Sequence, residues 1–320
     1  MAGMPELRHA IVDKVAALYG TRFDVENEVT VTAGATQAIF TAIAAFVRSG
    51  DEVIVFEPVY DSYVPAIETV GGKAVYAQLR FPDYAPDWAQ VEQLITPQTR
   101  MIIVNSPHNP TGSLLTAVDL EKLAELVRGT DIVVLSDEVY EHILFDGERH
   151  ASLCGHPELA PRSIVVSSFG KTYHITGWKI GYVVGPAALM AEFRKVHQFN
   201  VFTVHTPSQL ALADYMQDAA RHLGLAAFYK EKRDFFRALL AETPFELLPC
   251  RGTYFQLASY KAISDLPDRA FAEWMTREVG VAVIPVSVFY GDGRDDCVVR
   301  FCFAKKEETL VAAGERLRRL

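Results

Sequence analysis

Lys171 and Lys179 stand in SSFGKTYHITGWKIG (residues 167–181), a stretch of serines, threonines, glycines and aromatics that follows the apolar run SIVVSS. Lysine ordinarily decorates a solvated surface. Held against a buried strand it loses its charge more easily and becomes a nucleophile toward aldehydes. A second lysine that keeps its charge suits an anion such as phosphate. The competing reading of either residue is a side chain that runs along the surface to water. Asp137 closes a very apolar strand in SDEVY, where a carboxylate needs a partner or burial raises its pKa. A helix N-terminus or an arginine would serve, and so would a protonated ring nitrogen; Tyr140, three residues on, reaches the same place. Arg300 lies within CVVRFCF, where a guanidinium needs either a structural salt bridge or the carboxylate of a substrate.

Three further segments have the same character. TAGATQ is strand, small-residue turn and helix start, so the amides of Ala35 and Thr36 are available to an anion; an ordinary glycine turn is the plainer account. NSPHNPTG carries two prolines and a closing glycine, which makes a rigid turn or a loop that fixes the Asn109 amide in a pocket. Tyr60 follows the strand DEVIVFEP, and Ser168 precedes Lys171. An amine, a fixed cation, free amides and a buried acid together describe a cofactor with an aldehyde, a phosphate and a pyridine nitrogen, which is pyridoxal 5'-phosphate.

These groups need a scaffold that brings them together. EVTVTAG, DEVIVFEP, KAVYAQL, TRMIIVNSP, DIVVLSDEVY and SIVVSSFG read as strands, separated by helical spacing in TQAIFTAIAAFVRSG, SYVPAIETVGG and TAVDLEKLAELVRG. Thr116 and Asp119 form a capping-box pattern at the start of the last of these. Near-continuous β-branched runs between amphipathic helices predict an α/β fold, a mostly parallel sheet sandwiched by helices. In such sheets ligands bind beyond the carboxyl ends of strands, and Thr36, Tyr60, Asn109, Asp137, Tyr140 and Lys171 all fall there. From about residue 187 the pattern changes to helices over 187–200 and 206–242, then short strands and helices. The division expected is a large cofactor-binding α/β domain (1–205), a linking helix (206–242) and a smaller C-terminal α+β domain (243–320).

The 320 residues are 50% hydrophobic and 22% charged, with a net charge of −9. That balance argues against nucleic acid or an anionic membrane as the main partner. The start MAGMPELRHAIVDK has no continuous apolar core behind a basic flank, and the four cysteines have no CxxC spacing. A cytoplasmic protein with reduced thiols and no metal site is the expectation.

In TAGATQAIF, GDEVIVFEPVYDSY, NSPHNPTG, SDEVYEHI, SSFGKTYHITGWKIGY, TPSQLALAD and VVRFCFAKKEETL, taken in this order, the chain resembles the class I/II aminotransferases of PLP fold type I. The likeness is greatest to the methionine and kynurenine aminotransferase branch and runs from residue 3 to residue 320. It implies a homodimer that moves the amino group of an amino acid, methionine or an aromatic or large neutral one, to a 2-oxo acid by a ping-pong route. By the same likeness Lys171 would form an aldimine with the cofactor and later shuttle the proton. Asp137 would keep the pyridine nitrogen protonated, and Tyr140 and Asn109 would bond the phenolic oxygen. Tyr60 would stack on the ring, Ala35, Thr36, Ser168 and Lys179 would hold the phosphate, and Arg300 with Asn109 would meet the substrate. Cis peptides at Glu57–Pro58 and Asn109–Pro110 are also implied. Relatives carry several tens of residues before the segment matching GMPELRHAI, so the likeness implies a late start at Met1 and a substrate pocket that is not whole. β-Elimination on cysteine conjugates would use the same lysine, and cofactor binding with impaired catalysis is the other alternative.

Overall fold

The computed structural model describes residues 1–320. Eight strands form the main sheet: β1 (Val29–Thr32), β2 (Glu52–Glu57), β3 (Lys73–Arg80), β4 (Ala85–Pro86), β5 (Thr99–Asn105), β6 (Val133–Asp137), β7 (Ser163–Ser168) and β8 (Gly181–Val184). Their spatial order is β1-β8-β7-β6-β5-β2-β3-β4. Strands β3, β2, β5, β6 and β7 are mutually parallel. Strand β8 runs antiparallel to both β7 and β1, so β1 points the same way as the parallel set. The chain therefore has the α/β architecture expected, a mostly parallel sheet between helices.

Side chains alternate across a strand, and both faces of this sheet are covered. Val53, Val55, Met101, Ile103, Val133, Leu135, Ile164 and Val166 pack with Ile39, Ile43, Ile67, Met190 and Phe193 from the helices Gly34–Phe46, Tyr63–Thr69 and Ala187–Asn200. The alternate residues Ile54, Ile102, Val104, Val134 and Val165 pack with Leu7, Ile11, Leu120 and Leu123 from the helices Pro5–Tyr19 and Ala117–Val127. The Thr116 cap is a full capping box: its hydroxyl accepts from Asp119 N, and the Asp119 carboxylate accepts from Thr116 N at 2.7 Å.

A second sheet, antiparallel, contains β9 (Glu246–Leu247), β10 (Phe255–Ser259), β11 (Ile284–Pro285) and β12 (Val298–Cys302) in the order β11-β12-β10-β9. Its core of Phe236, Phe245, Phe271, Phe301 and Phe303 also takes in Val139, Tyr140, Ile143 and Phe145, from the segment just after β6. The two sheets are thus joined through packing at the carboxyl end of a central strand.

Two sequence expectations differ from the structure. The stretch 206–242, expected as one linking helix, is three helices, Thr206–Tyr215, Ala220–Leu223 and Leu225–Leu240. Asp218 interrupts it, its carboxylate accepting from Ala220 N at 3.0 Å and so competing with the helical backbone. Strand β8 was not expected, because GYVV is only four residues long and follows a loop rich in glycine and polar residues. The peptides Glu57–Pro58 and Asn109–Pro110 are cis, as are Phe81–Pro82 and Ser106–Pro107. No helix is long and apolar enough to cross a membrane.

Candidate active site

Because β1, β2, β5, β6 and β7 point the same way, the segments that follow them meet on one edge of the sheet. They enclose a cavity of about 510 Å³ whose walls include Ala35, Thr36, Tyr60, Asn109, Asp137, Tyr140, Ser168, Lys171, Lys179 and Arg300. Every residue singled out from the sequence lies on this one cavity. Its size is that of a small-molecule site.

One end gathers backbone amides and a lysine. Gly34 opens the helix Gly34–Phe46 with φ of 78°, a left-handed conformation that glycine adopts without strain. The amides of the first turn, including Ala35 and Thr36, have no partner within the helix. Gly181 of β8 backs this turn so closely that a Cβ there would lie 2.6 Å from Ser167 O and 3.0 Å from Gly34 C. Lys179, itself left-handed at φ 53°, lays its Cε and Nζ across the turn, each 3.6 Å from where a Gly34 Cβ would be. Two segments far apart in sequence, the helix start at Gly34 and the stretch from Lys179 to Gly181, thus bring backbone amides and one cation together.

Asp137 marks the opposite wall. Its side chain is buried, accepts from Tyr63 Oη at 2.6 Å and from Val139 N at 3.2 Å, and makes no salt bridge. Burial pushes its pKa up to about 6, against the lowering effect of those two hydrogen bonds. Neither the helix N-terminus nor the arginine that could have neutralised it is present. Tyr60 packs edge-on to Tyr63 with ring centroids 5.4 Å apart, and burial raises its hydroxyl pKa.

Lys171 lies in the single helical turn Phe169–Thr172 after β7 and is half-buried. Its Nζ donates to Tyr254 Oη at 2.8 Å. Arg300 enters from β12 of the second sheet. Its guanidinium lies 4.1 Å from the Phe255 ring centroid, and Nη1 donates to Asn109 Oδ1 at 2.6 Å. No carboxylate pairs with it, so the structural salt bridge considered for this residue is absent. Its Nε is buried with no hydrogen-bond partner, and burial lowers its pKa from the usual guanidinium value. An unsatisfied buried donor is costly, and Arg300 is part of the cavity wall.

Sequence reasoning missed three polar supports. Asn105 donates to Asp137 O at 2.9 Å and accepts from Asn109 N at 2.8 Å, so it ties the β5 loop to β6. Its signal was present, an amide at the carboxyl end of a buried strand. Tyr63 and Tyr254 gave none, since an aromatic in an apolar stretch reads as core. The apolar part of the wall, Ile39, Phe255, Ile284, Val288 and Phe289, was equally silent.

Residues 1–317 match the family model for aminotransferase class I and II. The chain is 50% identical over 321 residues to methionine aminotransferase of Escherichia coli strain K12, covering 100% of this chain and 83% of that protein. It is 35% identical to kynurenine–oxoglutarate transaminase 1 of Rattus norvegicus, covering 99% and 83%. The solved structure of YbdL from Escherichia coli, identified with a methionine aminotransferase function, superimposes with a TM-score of 0.98 at 50% identity, covering 100% of this chain and 85% of that one.

Proposed function

The chain belongs to the class I and II aminotransferases, and from that membership we propose the part each residue of the cavity plays and the amino acid it accepts. The protein is a pyridoxal phosphate-dependent enzyme that transfers the amino group of an amino acid to a 2-oxo acid. The residues present fit that cofactor on three counts. The glycine-walled helix start under Lys179 suits a phosphate, the buried Asp137 makes no salt bridge, and Arg300 on the cavity wall has an unpartnered Nε.

When bound, pyridoxal phosphate supplies an aldehyde that condenses with amines and a protonated pyridine that accepts electrons when a proton leaves the substrate. Ala35, Thr36, Ser168 and Lys179 hold its phosphate. Asp137 keeps a proton on its ring nitrogen, and Tyr60 covers its face. Tyr140 and Asn109 bond its phenolic oxygen. Lys171 binds it covalently through Nζ. As a free amine, Lys171 would take the proton of the substrate's Cα on Nζ and give it up again in the second proton transfer. Arg300 takes the α-carboxylate with its free guanidinium N–H groups, and Asn109 braces it.

The side chain of the substrate then meets Ile39, Phe255, Ile284, Val288 and Phe289, and every cation among the cavity residues already has a partner in this scheme. This favours methionine or another large neutral or aromatic amino acid over an acidic one. The observation that carries the reading is the convergence of Lys171, Asp137 and an acid-free Arg300 on one cavity. The protein is read as a cytoplasmic homodimer, with domains at 1–205 and 243–320. Phe199, Phe202 and Leu223 are 87%, 55% and 58% exposed, large apolar side chains that a second copy would cover. Steady-state kinetics with a 2-oxo acid acceptor test the substrate claim: kcat/KM for methionine is expected to exceed that for aspartate at least about tenfold. Equal values, or a preference for aspartate, would reject it.

A further inference from the structure

We propose that Tyr254 is a positioning residue that holds the Lys171 amine for its proton transfers. The proposal rests on the reading of Lys171 as the proton-carrying amine.

The Lys171–Tyr254 bond at 2.8 Å is the only hydrogen bond that Nζ makes, and Lys171 forms no salt bridge. Tyr140 Oη donates to the same Tyr254 oxygen at 3.4 Å, and the two rings meet edge to face with centroids 5.3 Å apart. Lys171 Nζ lies 5.5 Å from the centroid of the Tyr254 ring. Tyr254 is itself fixed. Its ring packs on Tyr229 and Phe255 at 5.6 and 4.7 Å, and its carbonyl accepts from Phe303 N at 3.0 Å.

A lysine amine sits on four freely rotating carbons. While it is bonded to the cofactor its position is set covalently. After the substrate's amino group displaces it, nothing covalent keeps it near Cα, although proximity is what makes it an efficient base. A rigid phenol oxygen that accepts one N–H supplies that restraint and leaves the nitrogen lone pair for the incoming proton. The proton passes from Cα to Nζ and from Nζ to the cofactor carbon, and Tyr254 keeps its own proton throughout. Because Tyr254 immediately precedes β10 while Lys171 follows β7, the restraint also links the amine to the sheet that carries Arg300.

The experiment is Tyr254→Phe in the cofactor-loaded enzyme. It removes one oxygen and keeps the ring packing. The expected result is a fall in kcat with methionine of about tenfold or more and a KM for methionine within about twofold. The isotope effect from deuterium at Cα should rise, and the pH dependence of the cofactor's visible absorption should shift. 3-Fluorotyrosine at position 254, which keeps the ring and hydroxyl but accepts a hydrogen bond more weakly, should fall between the two and carries the test if the phenylalanine protein does not fold. An unchanged isotope effect and absorption titration would overturn the proposal, even if the variant melts earlier. Lys171→Ala separates the two readings. Full transamination in that variant would remove the role of Lys171 itself, whereas its loss, with Tyr254→Phe indistinguishable from wild type, would remove only the role of Tyr254.

Discussion

Asp137 occupies its position at a cost to the native state. Its ordinary value is 3.8 and burial lifts it to about 6, so the native chain binds this proton more tightly than the unfolded chain. Stability contributed by the residue therefore falls as pH rises from about 4 to about 6, and the deficit persists above that. At about 1.4 kcal/mol for each tenfold difference in proton affinity, it reaches roughly 3 kcal/mol. Asp137→Asn in the cofactor-free chain is expected to gain up to about that much at pH 8 and nothing below pH 4, by chemical denaturation, while transamination drops. A variant no more stable at pH 8 would contradict this account. The same physics made the residue legible. Asp137, Lys171 and Arg300 are charges at or inside apolar strands, and charge in such places needs an explanation. Tyr63 and Tyr254 bond two of those three yet were invisible, because each acts across 74 and 83 residues of sequence.

At the scale of elements, the cradle for the anion depends on how closely β8 can approach the start of the helix Gly34–Phe46. A methyl group at Gly181 has no room, with Ser167 O at 2.6 Å and Ala35 N at 3.1 Å. Gly181→Ala should therefore push the strand off the turn, raise the cofactor dissociation constant at least about tenfold and cost about 1–3 kcal/mol of stability. Gly177→Ala is the control, since a Cβ there meets nothing within 4 Å and binding should be unchanged. Fluorescence titration with pyridoxal phosphate reads both, and tight binding by the Gly181 variant would contradict the account. The parallel strands were legible because each is an apolar run bounded by turn residues. Strand β8 was not, because its four residues follow a loop whose polar character belongs to the site. The break near Asp218 was also hidden, since no proline or glycine marks it, whereas the second break, at Gly224, carries a glycine that the sequence displays.

Across the whole molecule, the site is a joint between two sheets. The main sheet contributes Lys171, Asp137 and the turn at Gly34, and the second sheet contributes Arg300, Phe255 and the segment carrying Tyr254. A buried network underlies the joint. Glu141 pairs with Lys14 at 2.6 Å and accepts from Tyr19 and Ser167, at 2.6 and 2.7 Å. Burial pushes the Glu141 pKa up, but Lys14, His142 and these bonds outweigh it and hold the carboxyl well below the usual range. The helix Pro5–Tyr19 is thereby tied to the residue next to Tyr140. Fold class and site location were readable at this scale, because strand ends in a parallel sheet converge. How the second sheet seats Arg300 against Asn109, 191 residues away, was not readable, since it depends on packing between the sheets. The central claim is that Lys171 is the covalent amine of the loaded enzyme. Borohydride reduction of the purified holoenzyme, followed by proteolysis and mass spectrometry, tests it most directly. The account predicts the reduced pyridoxyl group on the peptide containing Lys171 and its loss when methionine is added before reduction. A label on Lys179 or another lysine, or none at all, would contradict it.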